Sequence, residues 1–272
     1  MQTSVRDRRD RFRRLHERGL FLMPNPWDIG SAKILASMGF EALATTSLGH
    51  AAGLGKLDLT VTREELLDHV AALTAAVDLP LNVDSQRLFA DDPAGVAEMV
   101  GEIAERGAAG CSIEDYNPAT GQIDALDVAV ERVAAAVEAA HRHRVVLTAR
   151  AENHVYDLGD LDDTIRRLAA YREAGADVIY APRLTEADDI RRVVDATDAP
   201  VNVLAVRHSP SIAELTEIGV RRVSTGGAVA RAAYGALVAA ANELRGAGTS
   251  TYLDAAVTGD DLDRALGTPD LA

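Results

Sequence analysis

The sequence of 272 residues contains a single cysteine and no apolar run close to the length that a bilayer demands. One cysteine, Cys111, excludes an internal disulfide. A membrane-spanning helix needs about 20 consecutive apolar residues. We therefore expect a protein without a transmembrane helix that works in a reducing cytoplasm.

Positive charge is also scarce. The chain has 28 Lys and Arg residues against 42 Asp and Glu residues, a formal net charge of −14. Such a surface repels polyanions, which argues against nucleic acid or an anionic membrane as partner. A small anion fits if its site concentrates positive charge. With 47% hydrophobic and 26% charged residues, the composition is globular and excludes a disordered or collagen-like chain.

Short apolar segments alternate with longer amphipathic segments along the whole chain, which is the pattern of βα units. The predicted strands are 20–23, 42–45, 79–83, 110–113, 145–148, 178–181, 201–204 and 221–224. The predicted helices between them are 29–38, 63–77, 94–106, 125–142, 161–174, 186–196, 211–218 and 228–244. Several of these helices end at a glycine that supplies the left-handed capping residue.

One α/β domain follows from this pattern, because no linker and no second composition regime interrupts it. We predict a closed (β/α)₈ barrel of the TIM type over residues 1–245. The Arg-rich segment 6–18 is its N-terminal helix and covers the barrel bottom as a solvated lid; an anion-binding arm is the alternative. Residues 246–272 form a C-terminal tail, either disordered or packed on a neighbouring subunit. A doubly wound open sheet is the alternative, but no Gly-x-Gly-x-x-Gly follows the first strand.

Charged side chains close three neighbouring strands at the end where such barrels gather their reactive groups. Asp84 follows the third predicted strand, Glu114 the fourth and Arg150 the fifth. Adjacent carboxylates repel each other unless a cation or a shared proton lies between them. Mg²⁺, or Mn²⁺ in its place, binds one or two protein carboxylates together with waters and substrate oxygens. The alternative is that both acids cap helices or pair with arginine.

Anion-binding groups lie at the same predicted end of the barrel. A guanidinium such as that of Arg150 holds a carboxylate through two parallel hydrogen bonds. A salt bridge with Glu114 or Glu152 is the alternative role. The run Thr45-Thr46-Ser47-Leu48-Gly49 offers hydroxyls and backbone amides to oxyanions.

Other chemistries lack their signatures. Cys111 lies inside a predicted strand, where a packed small hydrophobic side chain is the expected role. The histidines show no metal-ligand spacing, which argues against a zinc site. His16, in the basic N-terminal helix, is expected to be solvated or to face the helix dipole. Ser47 has no nucleophile-elbow context, which disfavours a serine hydrolase.

Five segments in order resemble the isocitrate lyase/phosphoenolpyruvate mutase superfamily, and the likeness runs over about residues 21–242. The segments are Asn25-Pro26-Trp27-Asp28-Ile29-Gly30-Ser31-Ala32, Thr45-Thr46-Ser47 with Leu54-Gly55-Lys56-Leu57-Asp58, Asp84-Ser85-Gln86-Arg87-Leu88-Phe89, Ser112-Ile113-Glu114-Asp115, and Thr148-Ala149-Arg150. Their order and their placement at strand ends make the resemblance specific.

The resemblance implies a Mg²⁺-dependent enzyme that cleaves a bond in a small 2-oxo or 2-hydroxy carboxylate through a metal-chelated enolate. The implied catalytic residues are Arg150, Asp58, Thr46 and Ser47; the implied substrate-binding residues are Thr45, Trp27, Gly49 and Asn202; the implied metal residues are Asp84, Glu114 and Gln86. The resemblance also implies a homo-oligomer, a dimer or tetramer, with the last helix exchanged between subunits.

Two departures from the superfamily pattern narrow the expected activity. Isocitrate and methylisocitrate lyases carry Lys-Lys-Cys-Gly-His after the Ile-Glu-Asp strand, whereas residues 116–122 contain no cysteine, so those two activities are disfavoured. Gln86 replaces an acid and Leu88 replaces a glycine, which predicts a less charged metal site and an altered turn. C–C bond cleavage in an oxaloacetate-type substrate is the leading function. The alternatives are P–C bond chemistry, by a phosphonopyruvate hydrolase or a phosphoenolpyruvate mutase, and a catalytically silent metabolite-binding barrel.

Overall fold

Eight parallel strands form the central sheet in the computed structural model, which describes residues 3–267. They are β1 (Phe21–Met23), β2 (Leu43–Ala44), β3 (Leu81–Val83), β4 (Gly110–Glu114), β7 (Val146–Arg150), β8 (Val178–Tyr180), β9 (Val201–Leu204) and β10 (Arg222–Ser224); β5 (Tyr116–Asn117) and β6 (Gln122–Ile123) form a separate antiparallel hairpin.

The sheet closes into a barrel, as the sequence predicts. Its strand order is β1-β10-β9-β8-β7-β4-β3-β2, so β1 and β2 lie at its two ends. The amide of Ala44 donates to the carbonyl of Pro24 over 3.1 Å and joins those two ends. The open-sheet alternative is therefore wrong. All eight predicted strands are present, within three residues at each end.

The helices surround the barrel. They are α1 (Val5–Leu15), α2 (Ile29–Ser37), α3 (Ser47–Gly53), α4 (Arg63–Ala76), α5 (Pro93–Glu105), α6 (Leu126–His143), α7 (Asn153–Tyr156), α8 (Leu161–Glu173), α9 (Ala187–Thr197), α10 (Ile212–Ile218), α11 (Ala228–Gly246) and α12 (Gly259–Leu266), with a 3₁₀ turn at Thr251–Ala255. None of residues 3–267 belongs to a helix both long and apolar enough to span a membrane.

The main core lies between the strands and the outer helices. Met99 and Ile103 of α5 are fully buried against Cys111 of β4 and Leu147 of β7. Cys111 is thus a packed hydrophobic residue, as predicted, and burial raises the pKa of its thiol to about 12. The thiolate needed for nucleophilic chemistry is therefore not populated at neutral pH.

The helix α1 covers the N-terminal end of the barrel. Phe12 is completely buried against Phe21 and neighbouring strand residues. Arg8 donates to the carbonyl of Thr74 over 2.9 Å, and Arg9 donates to the carbonyl of His143 over 2.8 Å. These guanidinium groups satisfy backbone carbonyls where helices end, a role that stabilises helix C-termini.

The expectation that His16 is solvated is wrong. Its ring is buried between Phe12 and Phe21, where Nδ1 donates to the Phe12 carbonyl and Nε2 lies 3.3 Å from the Arg222 guanidinium. Burial and the positive charge of Arg222 lower the pKa of His16 to about 3. Phe12, four residues earlier on the same helix face, signals the buried stripe.

The C-terminal tail is ordered over most of its length on its own chain. Helix α12 packs against α2, and Lys33 donates to the carbonyl of Leu266 over 3.2 Å. The segment 251–266 is therefore structured and packs on its own chain, and its contact with a neighbouring subunit stays a prediction. Residues 268–272 of the tail lie outside the described part of the chain.

Burial of a neutral His16 makes stability depend on pH. In the unfolded chain this histidine gains a proton below pH 6.5, whereas in the folded chain it stays neutral down to about 3. Acidification from 6.5 towards 3 therefore favours the unfolded state. We expect the free energy of unfolding of the native protein to fall by roughly 1 kcal/mol per pH unit more than that of a His16→Gln variant. Urea unfolding at pH 7, 6 and 5 measures both slopes, and equal slopes would contradict this assignment.

Candidate active site

A cavity of about 250 Å³ opens at the C-terminal end of the barrel. Of the predicted site residues, eight line it: Thr45, Thr46, Ser47, Asp58, Asp84, Glu114, Arg150 and Asn202. They come from the ends of β2, β3, β4, β7 and β9 and from the segment between α3 and α4. The parallel strands all end at this rim, so residues distant in sequence share one space.

A single guanidinium lies among three carboxylates at the centre of this rim. Arg150 Nη1 lies 2.7 Å from Asp84 Oδ1 and 2.7 Å from Glu114 Oε1, and Arg150 Nε lies 2.6 Å from Glu152 Oε1. Glu114 and Arg150 are register partners on the adjacent strands β4 and β7. The pairing of β4 with β7 therefore places the two side chains together. The rim salt bridge that was the predicted alternative role of Arg150 is present.

Burial makes these charges costly. Loss of solvation raises the pKa of Glu114, and loss of solvation also raises the pKa of Glu152, while the positive charge of Arg150 opposes both shifts. With Asp58 at the mouth, four carboxylates share the cavity with this guanidinium. The side of the cavity that carries these four carboxylates is therefore electronegative and attracts a cation.

The donor set fits a hard divalent cation with few protein ligands. No three His, Cys, Asp or Glu side chains in residues 3–267 converge as a ready ligand group. Mg²⁺ does not need one, because it keeps several waters and takes one or two carboxylates. Asp84 and Glu114 are the carboxylates that would hold it. A zinc site, which needs three or four converged nitrogen or sulfur ligands, does not fit.

The segment after β2 supports Asp84. The Thr45 hydroxyl accepts a hydrogen bond from the Asp84 amide over 2.8 Å, and the Ser47 amide donates to Asp84 Oδ2 over 2.9 Å. Thr46 caps α3 by accepting from the Gly49 amide. The Thr45 hydroxyl and the Ser47 amide therefore hold Asp84, and the Thr46 hydroxyl starts α3.

Three predicted site residues do not line the cavity. Gly49 lies within α3, where a Cβ would come within 2.6 Å of Thr46 and 2.9 Å of Trp27, so this glycine permits close packing. The Trp27 ring lies 6.5 Å from that of Tyr234. Gln86 accepts a hydrogen bond from the Glu114 amide through its carbonyl over 3.0 Å.

The turn after β3 carries side chains in backbone conformations that favour glycine. Gln86, Leu88 and Phe89 have φ of +50°, +63° and +52°. Leu88, which stands where the related pattern has glycine, adopts a left-handed conformation at a typical cost of about 1 kcal/mol. Its side chain is completely buried in the core, and that burial offsets the strain.

Two charged residues that line the cavity, Glu152 and Arg222, are not among the predicted site residues. Glu152 is buried two residues beyond Arg150, and its amide receives support from Asp115, whose Oδ1 accepts from it over 2.8 Å. Tyr171 donates to the other oxygen of Asp115 over 2.6 Å. Arg222 lies inside a strand, and a charged residue within an apolar strand was the available signal.

Two aromatic residues near the mouth were also missed. The rings of Tyr116, on β5, and Tyr156, on α7, stack with centroids 3.5 Å apart. Only Tyr156 lines the cavity. Burial raises the pKa of its hydroxyl, so it remains protonated at neutral pH. The contact joins two short elements that hydrophobic periodicity cannot detect.

Removal of the central guanidinium should destabilise the fold. An Arg150→Met substitution leaves Glu114 and Glu152 buried without a counter-charge, and breaking a buried ion pair in this way costs about 3–5 kcal/mol. Urea unfolding measures the loss. Arg207→Met, an exposed change at the same end of the barrel, should stay within about 0.5 kcal/mol of the native protein. An equal, small effect of both substitutions would refute the role of Arg150 as counter-charge.

Several known proteins are similar to this chain. A family model described as phosphoenolpyruvate phosphomutase matches residues 12–245. A candidate lyase/mutase from Burkholderia cenocepacia J2315 is 50% identical and superposes with a TM-score of 0.93, with 98% of each chain covered. The 2-methylisocitrate lyase of Escherichia coli (strain K12) is 31% identical over 196 residues, which cover 69% of this chain and 62% of that enzyme.

A structure with a bound product is also similar. Oxaloacetate acetylhydrolase in complex with the product oxalate is 27% identical and superposes with a TM-score of 0.85. The match covers 96% of this chain and 94% of that chain.

Proposed function

The chain belongs to the phosphoenolpyruvate mutase family of the isocitrate lyase/phosphoenolpyruvate mutase superfamily, and from this premise we propose that it is a Mg²⁺-dependent lyase or hydrolase. Its substrate is a small 2-oxo or 2-hydroxy carboxylate of the oxaloacetate type, in which it cleaves a C–C bond. The observation that carries the proposal is the grouping of Asp84, Glu114 and Glu152 around Arg150 at the cavity.

Arg150 has one nitrogen to offer a substrate. Its Nη1 and Nε are engaged by the three carboxylates, while Nη2 has no hydrogen-bond partner among residues 3–267. A substrate carboxylate accepts from Nη2 through a charge-assisted hydrogen bond. The surrounding acids fix the orientation of the guanidinium before substrate arrives, which lowers the reorganisation needed on binding.

The acids have a second role towards a cation. Asp84, held by the Ser47 amide and by Arg150, would hold Mg²⁺ together with Glu114. When bound, the divalent cation supplies positive charge at the substrate oxygens on which negative charge develops as the C–C bond breaks. Asp58, at the mouth between α3 and α4, adds a carboxylate that reaches the cavity.

The hairpin β5–β6 lacks the cysteine of isocitrate and methylisocitrate lyases, which argues against those two activities. It occupies residues 116–123 after the Glu114 strand and presents Tyr116 and Asn117 rather than a cysteine. In residues 3–267 the single cysteine is Cys111, which is buried below the rim. The similarity to 2-methylisocitrate lyase therefore supports the family and the barrel, and the oxaloacetate-type substrate agrees with the likeness to oxaloacetate acetylhydrolase.

A second candidate function is P–C bond chemistry. The same cation and Arg150 would hold phosphonopyruvate, because it shares the 2-oxo carboxylate with oxaloacetate. Incubation with phosphonopyruvate and Mg²⁺, followed by phosphorus NMR, separates the two, since only P–C chemistry moves the phosphonate signal. We expect pyruvate or oxalate from oxaloacetate and no change in the phosphonate.

The proposed cation site predicts how binding responds to one substitution. Calorimetry with oxalate should show affinity that requires Mg²⁺ and that falls at least about tenfold in Asp84→Asn, since a charged ligand is lost. Gln86→Ala is the matched control on the same turn and should bind oxalate as the native protein does. Oxalate binding that ignores Mg²⁺, with no turnover of oxaloacetate, would instead establish a catalytically silent metabolite-binding barrel.

We also propose that the protein is a homo-oligomer, a dimer or tetramer. Helix α11 has 19 residues, mostly Ala, Val and Leu, yet Ala230 is its only buried residue. Leu237 and Val238 are 63% and 57% exposed. A long apolar helix gains its stability from packing, so a second copy of the chain covers this one, in agreement with exchange of α11, the last helix of the predicted barrel.

Charges on α11 should separate the subunits. The double substitution Leu237→Glu and Val238→Glu places two carboxylates in the proposed contact, which disfavours burial of that face. Size-exclusion chromatography with light scattering should give a dimer or tetramer for the native protein and a monomer for the variant. Val128→Glu, an exposed position on α6, should leave the assembly unchanged. A native protein that elutes as a monomer would end this proposal.

A further inference from the structure

Four side chains form a row across the cavity, one from each of four adjacent strands. Glu114 of β4 pairs with Arg150 of β7, and Arg150 pairs with Tyr180 of β8. Tyr180 in turn pairs with Asn202 of β9. Directly paired residues of parallel strands point to the same face of a sheet, and all four line the cavity. Tyr180 therefore faces the cavity on the side of Arg150 that is away from β3 and β4.

The phenol of Tyr180 is a proton source inside this cavity. Burial raises the pKa of its hydroxyl, and this effect exceeds the opposing effects of the Arg150 charge and of a hydrogen bond from Ser224. The hydroxyl is therefore protonated at neutral pH, as a general acid must be before it acts. Among residues 3–267, no cysteine, histidine or lysine lines the cavity.

Two guanidinium groups lie near this phenol. Arg150 Cζ is 5.1 Å from the centroid of the Tyr180 ring. Arg222 is fully buried, and its hydrogen-bond partners among residues 3–267 are all neutral: Asn202, Thr148 and His16. Burial lowers the pKa of Arg222 to about 9, and the phenol of Tyr180 opposes this shift. A negative charge on the Tyr180 oxygen would therefore be stabilised by two cations.

A chain of hydrogen bonds links Arg222 to the phenol. Arg222 Nε donates to Asn202 Oδ1 over 2.8 Å, and Asn202 Nδ2 donates to the Ser224 hydroxyl over 3.0 Å. Because the Ser224 oxygen accepts from the amide, its own hydrogen is available to the Tyr180 oxygen. Hydrogen bonds in such a chain polarise one another. The chain therefore aims a polarised donor at the oxygen that becomes negative when Tyr180 loses its proton.

The proposed reaction needs a proton at one carbon of the substrate. Loss of CO₂ from oxaloacetate breaks the bond between C3 and C4, and hydrolysis of oxaloacetate breaks the bond between C2 and C3. In both reactions the bonding electron pair remains on C3. A proton must then be added to C3, whichever of the two bonds breaks.

We propose that Tyr180 is the general acid that protonates C3 of the substrate. This inference rests on the proposed function and adds a catalytic residue to it. The O–H bond of Tyr180 breaks, its proton forms the new C3–H bond, and the phenolate that remains takes a proton from water. Decarboxylation then converts oxaloacetate and water into pyruvate and bicarbonate. Hydrolysis converts them into oxalate, acetate and a proton.

The substitution Tyr180→Phe removes the proton and keeps the ring. Its kcat for oxaloacetate with Mg²⁺ should fall about 10²- to 10⁴-fold, the usual contribution of a general acid. Oxalate has no C3, so its dissociation constant in calorimetry should stay within about twofold of the native value. Ser224→Ala should lower kcat about 10- to 100-fold by removing a hydrogen bond to a charged oxygen. Tyr252→Phe, the matched control in the tail and outside the cavity, should leave kcat unchanged.

The face of C3 that receives the proton is a readout that a structural role of Tyr180 would not change. With 3-methyloxaloacetate and Mg²⁺ in D₂O, the native protein should add deuterium to one face of C3 and give a product of one configuration. In Tyr180→Phe, water donates the deuterium and both configurations should form. NMR with a chiral shift reagent measures their ratio. An equal mixture from the native protein contradicts the inference.

The possible results separate this inference from the proposed function. A native kcat in Tyr180→Phe overturns the role of Tyr180, and so does a loss of oxalate affinity as large as the loss of kcat. A larger fall of kcat in Tyr156→Phe than in Tyr180→Phe assigns the proton to the other phenol of the cavity and also overturns it. If the native protein neither binds oxalate with Mg²⁺ nor cleaves oxaloacetate, the proposed function itself fails and this inference fails with it.

Discussion

The burial of several carboxylates around one guanidinium is the constraint on which the upper end of this barrel depends. Moving an ionised acid out of water costs several kcal/mol, and a charged partner with good geometry must offset that cost. Arg150 provides it for Glu114 and Glu152 at distances of 2.7 and 2.6 Å. The pairing register of β4 and β7 is therefore as important to the site as the acids themselves, because it places Glu114 beside Arg150.

The polar groups behind the cavity extend this arrangement into the outer layer. Asp115 is buried, and it accepts from the amide of Glu152 and from the hydroxyl of Tyr171. Arg167 of α8 lies 3.3 Å from the same carboxylate. The helix layer thus fixes the loop that carries Glu152. A rigid layer of this kind behind the rim keeps the acids in place.

The sequence was sufficient for the barrel and for most of the rim. The alternation of β-branched runs and amphipathic segments predicted all eight strands, and strand-end charges predicted Asp84, Glu114 and Arg150 as neighbours. What could not be predicted was which polar groups form hydrogen bonds within the protein and are therefore not available to a ligand. Thr46 caps α3, a helix of seven residues that is too short to give a periodic hydrophobic signal. Gln86 contacts Glu114 through its backbone carbonyl and not through its side chain. His16 shows a related limit: Phe12 marks its face of the helix as apolar, but its neighbour Arg222 comes from the far end of the chain.

The contact between His16 and Arg222 also bears on how the molecule assembles during synthesis. It joins residues 206 positions apart, so the first helix to leave the ribosome has no final docking place until the last strand has been made. Phe12 and its neighbours must therefore remain solvent-accessible, or in transient contacts, for most of translation. A nascent chain of this protein exposes the apolar face of α1 to chaperones until about residue 222 emerges. Docking of α1 onto the N-terminal end of the barrel is therefore a late event in folding.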